Sequence, residues 1–254
     1  MTASFATQLL GWKEARGRLV PNTADTASAT SMTLAAAVID NLGVARGRAS
    51  DVPRDPGAAL EQMTRDDLSA RLNAATSERS WAVECGTLIS RFEQYRHLDA
   101  LDRLVRSQPE LRVTIGMDYL IKPDVTVGIA SSSADAVAGG SAVETFLHAV
   151  VSCKWTIRSD RVQNIRHEFG QMIRHRRGRQ PHLVTLTAEP LPTRLASIAR
   201  GTGEVDATYH LAFDALDHAV AEVGNREQQD AWRECVEQGR LKSYAELAPT
   251  LAAW

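Results

Sequence analysis

Residues 151–168 read VSCKWTIRSDRVQNIRHE, and the other predicted elements are arranged around this stretch. It continues an apolar run that begins at Ala149, and a short apolar run of this kind predicts a buried strand. Lys154 stands near the end of the predicted strand, and a helical pattern that contains Glu168 begins near residue 160. A buried strand that leads directly into a helix is a typical unit of layered α/β folds.

The rest of the chain shows further strand and helix patterns. A short helical pattern lies within residues 1–20, and a Ser/Ala/Gly-rich segment at 131–141 predicts a surface loop. We therefore predict an α/β fold with a mixed central sheet flanked by helices, in a single domain over residues 1–254. Helices are predicted at 32–42, 58–75, 160–175 and 194–200, a mostly helical segment with a short initial strand at 81–106, strands at 113–127, 147–155, 182–187 and 208–213, and a helical C-terminal part.

The composition excludes several classes of protein. The three cysteines, Cys85, Cys153 and Cys235, lie far apart without metal-ligand spacing, which predicts neither a zinc site nor a disulfide framework and indicates a reducing, cytoplasmic location. The first residues lack the basic start and long apolar core of a secretory signal. No window approaches the roughly 18 apolar residues that a membrane span needs, so we predict no membrane partner.

Charge is unevenly distributed, although the formal net charge is only −2. Residues 151–200 contain ten Lys and Arg against three acids, whereas residues 201–254 contain four against ten. Positive charge concentrated around one segment is typical of a face that binds a polyanion. The alternative is an ordinary solvated charged surface.

The candidate chemistry is hydrolysis of a phosphodiester. This reaction needs carboxylates that hold a divalent cation, a group that activates water, and positive charge for the developing phosphorane. Asp124 follows a proline near the start of a predicted strand, and Lys154 ends a second one, so neighbouring strands would bring them together. Glu168, the Cys153 backbone carbonyl and the distant Glu61 could supply further oxygen ligands to Mg²⁺. Taken singly, each of these residues also fits a turn or a solvated surface position.

Three charged residues at the predicted helix start suit the reading of DNA bases. Arginine donates two hydrogen bonds to guanine O6 and N7, and aspartate accepts one from cytosine N4. Arg158, Asp160 and Arg161 could therefore read consecutive G·C pairs in a major groove. The alternative is that Ser159 or Asp160 caps the helix and the arginines are surface residues.

Three segments resemble a known family, the NgoMIV-type restriction endonucleases, which cleave sites built around CCGG. They are IKPDVTV (121–127), SCKWTIRSDR (152–161) and HLVTLTAEPLPTRLASIARGTGE (182–204), and the similarity is strongest over residues 91–213. The resemblance implies a restriction-endonuclease-like core of the PD-(D/E)XK superfamily at about 110–213, with N-terminal and C-terminal helical parts packed on it.

The resemblance also implies catalytic roles. Ser152 stands where the superfamily usually has an acid, and the missing carboxylate would come from Glu168. Asp124 and Glu168 match the metal-binding acids, Lys154 the catalytic lysine, the Cys153 carbonyl a metal ligand, and Glu61 the family's additional N-terminal acid.

Base-reading roles follow in the same way. Arg158, Asp160 and Arg161 match the residues that read the CCGG core. Arg194 and Asp25 match positions that contact the outer base pair, and Arg54 stands where the family pattern has a glutamine.

The resemblance thus implies a type II restriction endonuclease that uses Mg²⁺, as one or two ions per active site. It cleaves double-stranded DNA at a palindromic site with a CCGG core, for which GCCGGC is a candidate. The expected partners are further copies of the chain in a homotetramer of two dimers, and a cognate methyltransferase. Two alternatives remain open at this stage: a repair or recombination nuclease of the same fold, and a non-catalytic DNA-binding relative.

Overall fold

The computed structural model describes residues 2–47, 49–76, 79–130, 145–201 and 203–254. The strands of the described part are β1 Trp12–Ala15, β2 Arg18–Pro21, β3 Ser80–Cys85, β4 Val125–Ala130, β5 Thr145–Lys154, β6 His182–Thr187, β7 Ala207–His210 and β8 Leu241–Ser243. In the described ranges β3 to β8 form a six-stranded sheet in sequence order. The β3–β4 and β4–β5 pairs are antiparallel, and the remaining pairs are parallel. The predicted α/β fold with a mixed central sheet is confirmed.

Helices cover both faces of this sheet. They are α1 Ala6–Leu9, α2 Ala29–Asn41, α3 Pro56–Ala75, α4 Arg96–Ser107, α5 Pro109–Ile115, α6 Ser159–His175, α7 Pro192–Ala199, α8 Phe213–Val223, α9 Arg226–Glu237 and α10 Leu247–Ala253. From Ala149 onward, side chains of β5 alternate between two buried apolar clusters, as the period of a strand requires, and a β-bulge between Leu147 and Ala149 shifts the earlier residues by one position. Ala149 and Val151 join the cluster that contains residues of α3, α8 and α10, whereas Leu147 and Val150 join the cluster that contains residues of α4 and α6.

The unit predicted from residues 151–168 forms as expected. β5 is the buried strand, and α6 begins at Ser159, close to the predicted start. Val162, Ile165, Phe169 and Met172 of α6 are buried at helical spacing, so this face packs on the sheet. Because β5 ends at Lys154 and α6 begins five residues later, the connecting loop keeps the lysine and the helix start close together.

Two strand and helix predictions are wrong in part. Residues 113–127 do not form one strand, because Pro109 begins α5 and Gly116, at φ 76°, ends it before β4 starts at Val125. Within the described residues 2–20 only the four residues of α1 are helical, and β1 and β2 then pair as a hairpin. Arg16 and Gly17 both have positive φ at its two-residue turn, which is the geometry of a type I′ hairpin.

The other elements differ less from the prediction. The strand expected at 208–213 ends at His210, because Phe213 already begins α8. The C-terminal part is helical as predicted, with the addition of β8. The loop predicted at 131–141 lies outside the described residues. None of the helices in the described ranges is both long and apolar enough to span a membrane.

His210 gives the fold a dependence on pH. It is buried on β7, its Nδ1 accepts a hydrogen bond from the Ala212 N–H (3.2 Å), and its Nε2 donates to the Glu189 carbonyl (3.2 Å). Burial lowers the pKa of His210 to about 4, whereas an unfolded histidine titrates near 6.5. Because only the unfolded chain takes up this proton, the stability is fully present above about pH 6.5 and is lost as the pH falls towards about 4.

We expect His210→Gln to flatten the dependence of the unfolding free energy on pH in this window, by up to about 1.4 kcal/mol per pH unit. Urea unfolding at several pH values and fixed protein concentration measures this slope. His218→Gln, at an exposed position of α8, is the matched control and should leave the slope unchanged. An equal slope in wild type and His210→Gln would contradict the expectation.

Candidate functional site

Asp124 lies where β4 meets β5. Val125, the first residue of β4, pairs with Val151 across these antiparallel strands, so Asp124, which precedes β4, stands beside Ser152. The Asp124 Oδ2 atom accepts three hydrogen bonds from β5, from Ser152 Oγ (3.2 Å), the Cys153 N–H (2.8 Å) and Lys154 Nζ (2.5 Å). The strand pairing therefore brings together the carboxylate and the ammonium that were predicted to be neighbours.

Two glutamates are electrostatic neighbours of this pair. Glu61 lies on α3 and Glu168 on α6, so they reach the site from different parts of the chain. Burial raises the pKa of Glu168, the charge of Asp124 raises it further, and Lys154 lowers it. The same groups act in the same order on the pKa of Glu61. We call Glu61, Asp124, Lys154 and Glu168 the acid–lysine cluster.

This cluster has the donor chemistry for a hard divalent cation. It brings three carboxylates and one ammonium within electrostatic range of one another, and burial and the charge of Asp124 disfavour the charged forms of Glu61 and Glu168. Across the described ranges, no three His, Cys, Asp or Glu side chains form a closed metal cluster. Mg²⁺ typically takes only one or two carboxylates and completes its shell with water and substrate phosphate, so the residues present fit this ion.

Ser152 and Cys153 contribute in different ways. The Ser152 hydroxyl is buried and donates a hydrogen bond to Asp124. Ser152 itself stands at the position where the sequence analysis expected a serine in place of an acid. The Cys153 side chain lies in the apolar core, and burial raises the pKa of its thiol well above the ordinary value. Cys153 can therefore serve the site only through its main chain.

The start of α6 presents two charged side chains to solvent. Arg158 occupies the N-cap position, and both Arg158 and Asp160 are exposed. No side chain caps the helix, so the alternative that Ser159 or Asp160 is a capping residue is wrong. Arg161 is half-buried, and its Nη1 donates to the Thr156 carbonyl (2.6 Å) and hydroxyl (3.1 Å).

A second charged group lies beside Arg158. Arg194, on α7, donates from Nη2 to Asp25 Oδ2 at 2.6 Å, although 169 positions separate the two residues in the chain. The hydrogen bond from Arg194 lowers the pKa of Asp25, with a smaller contribution from the charge of Arg158. We call Asp25, Arg158 and Arg194 the arginine–aspartate cluster. Arg54 is exposed in the loop before α3, and no described contact joins it to this cluster.

Glu189 was not identified as a site residue from the sequence, because the sequence Ala188-Glu189-Pro190 after a strand indicates only the end of that strand. It is 0% exposed, yet both of its carboxylate oxygens accept main-chain hydrogen bonds, from the Ile157 N–H (2.8 Å) and the Leu191 N–H (3.1 Å). Burial raises the pKa of Glu189 to about 7. Leu191 is two positions away, but Ile157 is 32 positions away in the chain, so no local spacing marks this acid.

A mixed sheet with Pro-Asp before one strand, lysine at the end of its neighbour and arginines at the next helix start is characteristic of the restriction-endonuclease-like folds. The chain belongs to the NgoMIV restriction enzyme family, whose model matches residues 8–138 and 129–253. Among curated proteins, the type II restriction enzyme NgoMIV of Neisseria gonorrhoeae is 39% identical over 181 residues. That alignment covers 65% of this chain and 63% of the relative, so less than two thirds of the relative is matched. The family inferred from the sequence motifs is confirmed.

Proposed function

We propose that the chain is a type II restriction endonuclease, which hydrolyses double-stranded DNA at a palindromic site with a CCGG core and uses Mg²⁺. One observation carries the proposal: Asp124 and Lys154 are paired at 2.5 Å, two further acids are electrostatic neighbours of this pair, and Lys154 lies five residues before the start of α6. Membership of the NgoMIV restriction enzyme family supports it.

Asp124, Glu168 and the Cys153 carbonyl are the proposed ligands of Mg²⁺, with Glu61 as a further acid. When bound, the cation polarises the scissile phosphate and lowers the pKa of a coordinated water. The raised pKa values of Glu61 and Glu168 support this assignment, because a nearby cation would favour their charged forms.

Lys154 supplies the positive charge of the chain itself. Its ammonium is oriented by the hydrogen bond to Asp124, so it needs little rearrangement to face a phosphate. A preorganised cation of this kind stabilises the charge that develops on the phosphate oxygens. Ser152 and the Cys153 N–H hold the Asp124 carboxylate in place from the same strand.

Arg158, Asp160 and Arg161 are the proposed readers of the CCGG core. Arg158 and Asp160 are exposed at the start of α6 and are free to reach base edges. Arg161 retains the Nη2 and Nε donors that Thr156 does not occupy. For the outer base pair we propose Arg194 and Asp25, which already orient each other, together with Arg54 from the loop before α3.

The assembly and cellular setting are also proposed. Residues 1–254 would form one nuclease domain, which the shared apolar cluster of N-terminal, central and C-terminal residues supports. A palindromic site requires a symmetric oligomer, for which we propose a tetramer of two dimers. A cognate methyltransferase and a cytoplasmic location complete the restriction–modification system.

Digestion of a plasmid of known sequence in Mg²⁺, followed by run-off sequencing of the ends, tests the proposal. We expect discrete fragments whose ends fall within CCGG-containing sites, and no cleavage in the presence of a chelator. Random or structure-dependent nicking would instead indicate a repair or recombination nuclease. Binding of a CCGG duplex without cleavage in Mg²⁺ or Mn²⁺ would indicate a non-catalytic relative.

A further inference from the structure

The loop between Lys154 and Arg158 connects the acid–lysine cluster to the arginine–aspartate cluster. Four contacts among the described residues hold this loop in place. The Trp155 indole donates to the Asn22 carbonyl (3.3 Å), the Trp155 carbonyl accepts from the Ala188 N–H (3.2 Å), and Arg161 bonds to Thr156. The fourth contact is the hydrogen bond from the Ile157 N–H to Glu189 Oε2 at 2.8 Å.

Glu189 links this loop to Arg194 of the arginine–aspartate cluster. Its Oε2 bonds to the residue immediately before Arg158, and its Oε1 lies 3.9 Å from Arg194 Nη1 as well as accepting from the Leu191 N–H. Arg194 in turn bonds to Asp25. The Glu189 carbonyl accepts from His210, and its own N–H donates to Thr187 Oγ1, so the main chain around it is held as well.

The chemistry of the carboxylate suits this task better than that of an amide. Each carboxylate oxygen accepts a main-chain N–H, whereas a glutamine could accept through only one of its two terminal atoms. A buried charge is costly without partners. Here the two main-chain donors and the nearby Arg194 offset part of that cost.

We propose that Glu189 is a positioning residue, which holds the 155–158 loop and Arg194 so that Arg158 reads DNA in register with cleavage at Lys154. The inference rests on the function proposed above. It assigns to Glu189 no contact with DNA or with a cation, because the side chain is fully buried.

The Glu189→Gln substitution tests this role, because it replaces one carboxylate oxygen by an amide nitrogen. We expect kcat on a cleaved CCGG duplex to fall about 100-fold, because a displacement on the order of 1 Å of a positioning element has effects of this size. Discrimination against a duplex with one central base pair changed should also fall, about tenfold. A merely structural role would lower the melting temperature but leave kcat and discrimination unchanged in the remaining folded protein.

Gln94→Glu is the matched control. Gln94 is equally buried in the core, and its side chain also makes two main-chain hydrogen bonds, with Leu147, at the opposite end of β5 from Lys154. Each variant is assayed at the same interval below its own melting temperature. The proposal is overturned if Glu189→Gln retains the kcat and discrimination of wild type, or if Gln94→Glu loses as much of both.

A measurement on the wild-type protein decides the matter if Glu189→Gln does not fold. With ¹⁵N-labelled isoleucine and leucine, the amide signals of Ile157 and Leu191 should shift together with pH, with a common midpoint near the Glu189 pKa of about 7. Arg194, Asp25 and His210 are the other charged or titratable groups that face Glu189. Absence of a common midpoint would overturn the proposal, whereas a wild type that cleaves no DNA would refute only the proposed function.

Discussion

Lys154→Ala is expected to reduce the rate of cleavage at a CCGG site on the order of 1,000-fold, which is the upper range for the loss of one preorganised electrostatic group. The substitution removes the ammonium that lies 2.5 Å from Asp124 Oδ2 and leaves three acids without it. Single-turnover cleavage in saturating Mg²⁺ measures the chemical step. Binding of the same duplex without metal should persist, because the arginines of α6 are untouched.

Lys242→Ala is the control for this substitution. Lys242 is also a half-buried lysine of the central sheet, but it lies on β8, at the far edge of the sheet from β3. We expect Lys242→Ala to cleave the CCGG site at the wild-type rate. If Lys154→Ala keeps more than about a tenth of the wild-type rate, a difference below 1.4 kcal/mol, Lys154 is not the catalytic lysine.

Arg158→Ala is expected to weaken recognition of the CCGG core by about 1–3 kcal/mol, the discrimination that one bidentate contact supplies. The loss should fall on the cognate duplex and leave binding to unrelated duplexes almost unchanged. Competition binding against duplexes with single base-pair changes, at one fixed salt concentration, measures this difference. The base pair at which discrimination disappears identifies the contact.

Arg226→Ala is the control for charge alone. Arg226 begins α9, is 95% exposed and belongs to the acidic C-terminal part of the chain. We expect no change in discrimination. An equal loss for all sequences in Arg158→Ala, together with a salt dependence reduced by about one unit, would mean that Arg158 contacts a phosphate instead of a base.

The parts of the fold that could be predicted are those with strong local patterns. The apolar run of β5 and the helical spacing of α6 are properties of neighbouring residues, so the unit that contains Lys154 and Glu168 was evident from the sequence. The residues between Pro109 and Gly116 alternate in polarity, which favours a strand, but the two flanking residues favour the helix of two turns that forms as α5. The hairpin of β1 and β2 depends on its two-residue turn, Arg16 and Gly17. The helix prediction for residues 1–20 considered only the spacing of the apolar residues.

The candidate site divides in the same way. Residue types and their local positions identify the groups with the required chemistry: Asp124 after proline, Lys154 at a strand end, and arginines with an aspartate at a helix start. Their arrangement in space follows from the packing of distant segments. The pairing of β4 with β5 brings Asp124 into hydrogen-bond contact with Lys154. The helices α3 and α6, from separate parts of the chain, bring Glu61 and Glu168 within electrostatic range of this pair.

Glu189 shows most clearly why the sequence was not sufficient. Its hydrogen bonds join Ile157 and Leu191, and its neighbour Arg194 meets Asp25 from 169 positions away. The contact with Ile157 accompanies the parallel pairing of β5 and β6, and the contact of Arg194 with Asp25 joins α7 to the segment before α2. Residue type and spacing determine chemistry and local structure, whereas packing of distant segments determines which groups are buried, paired and charged.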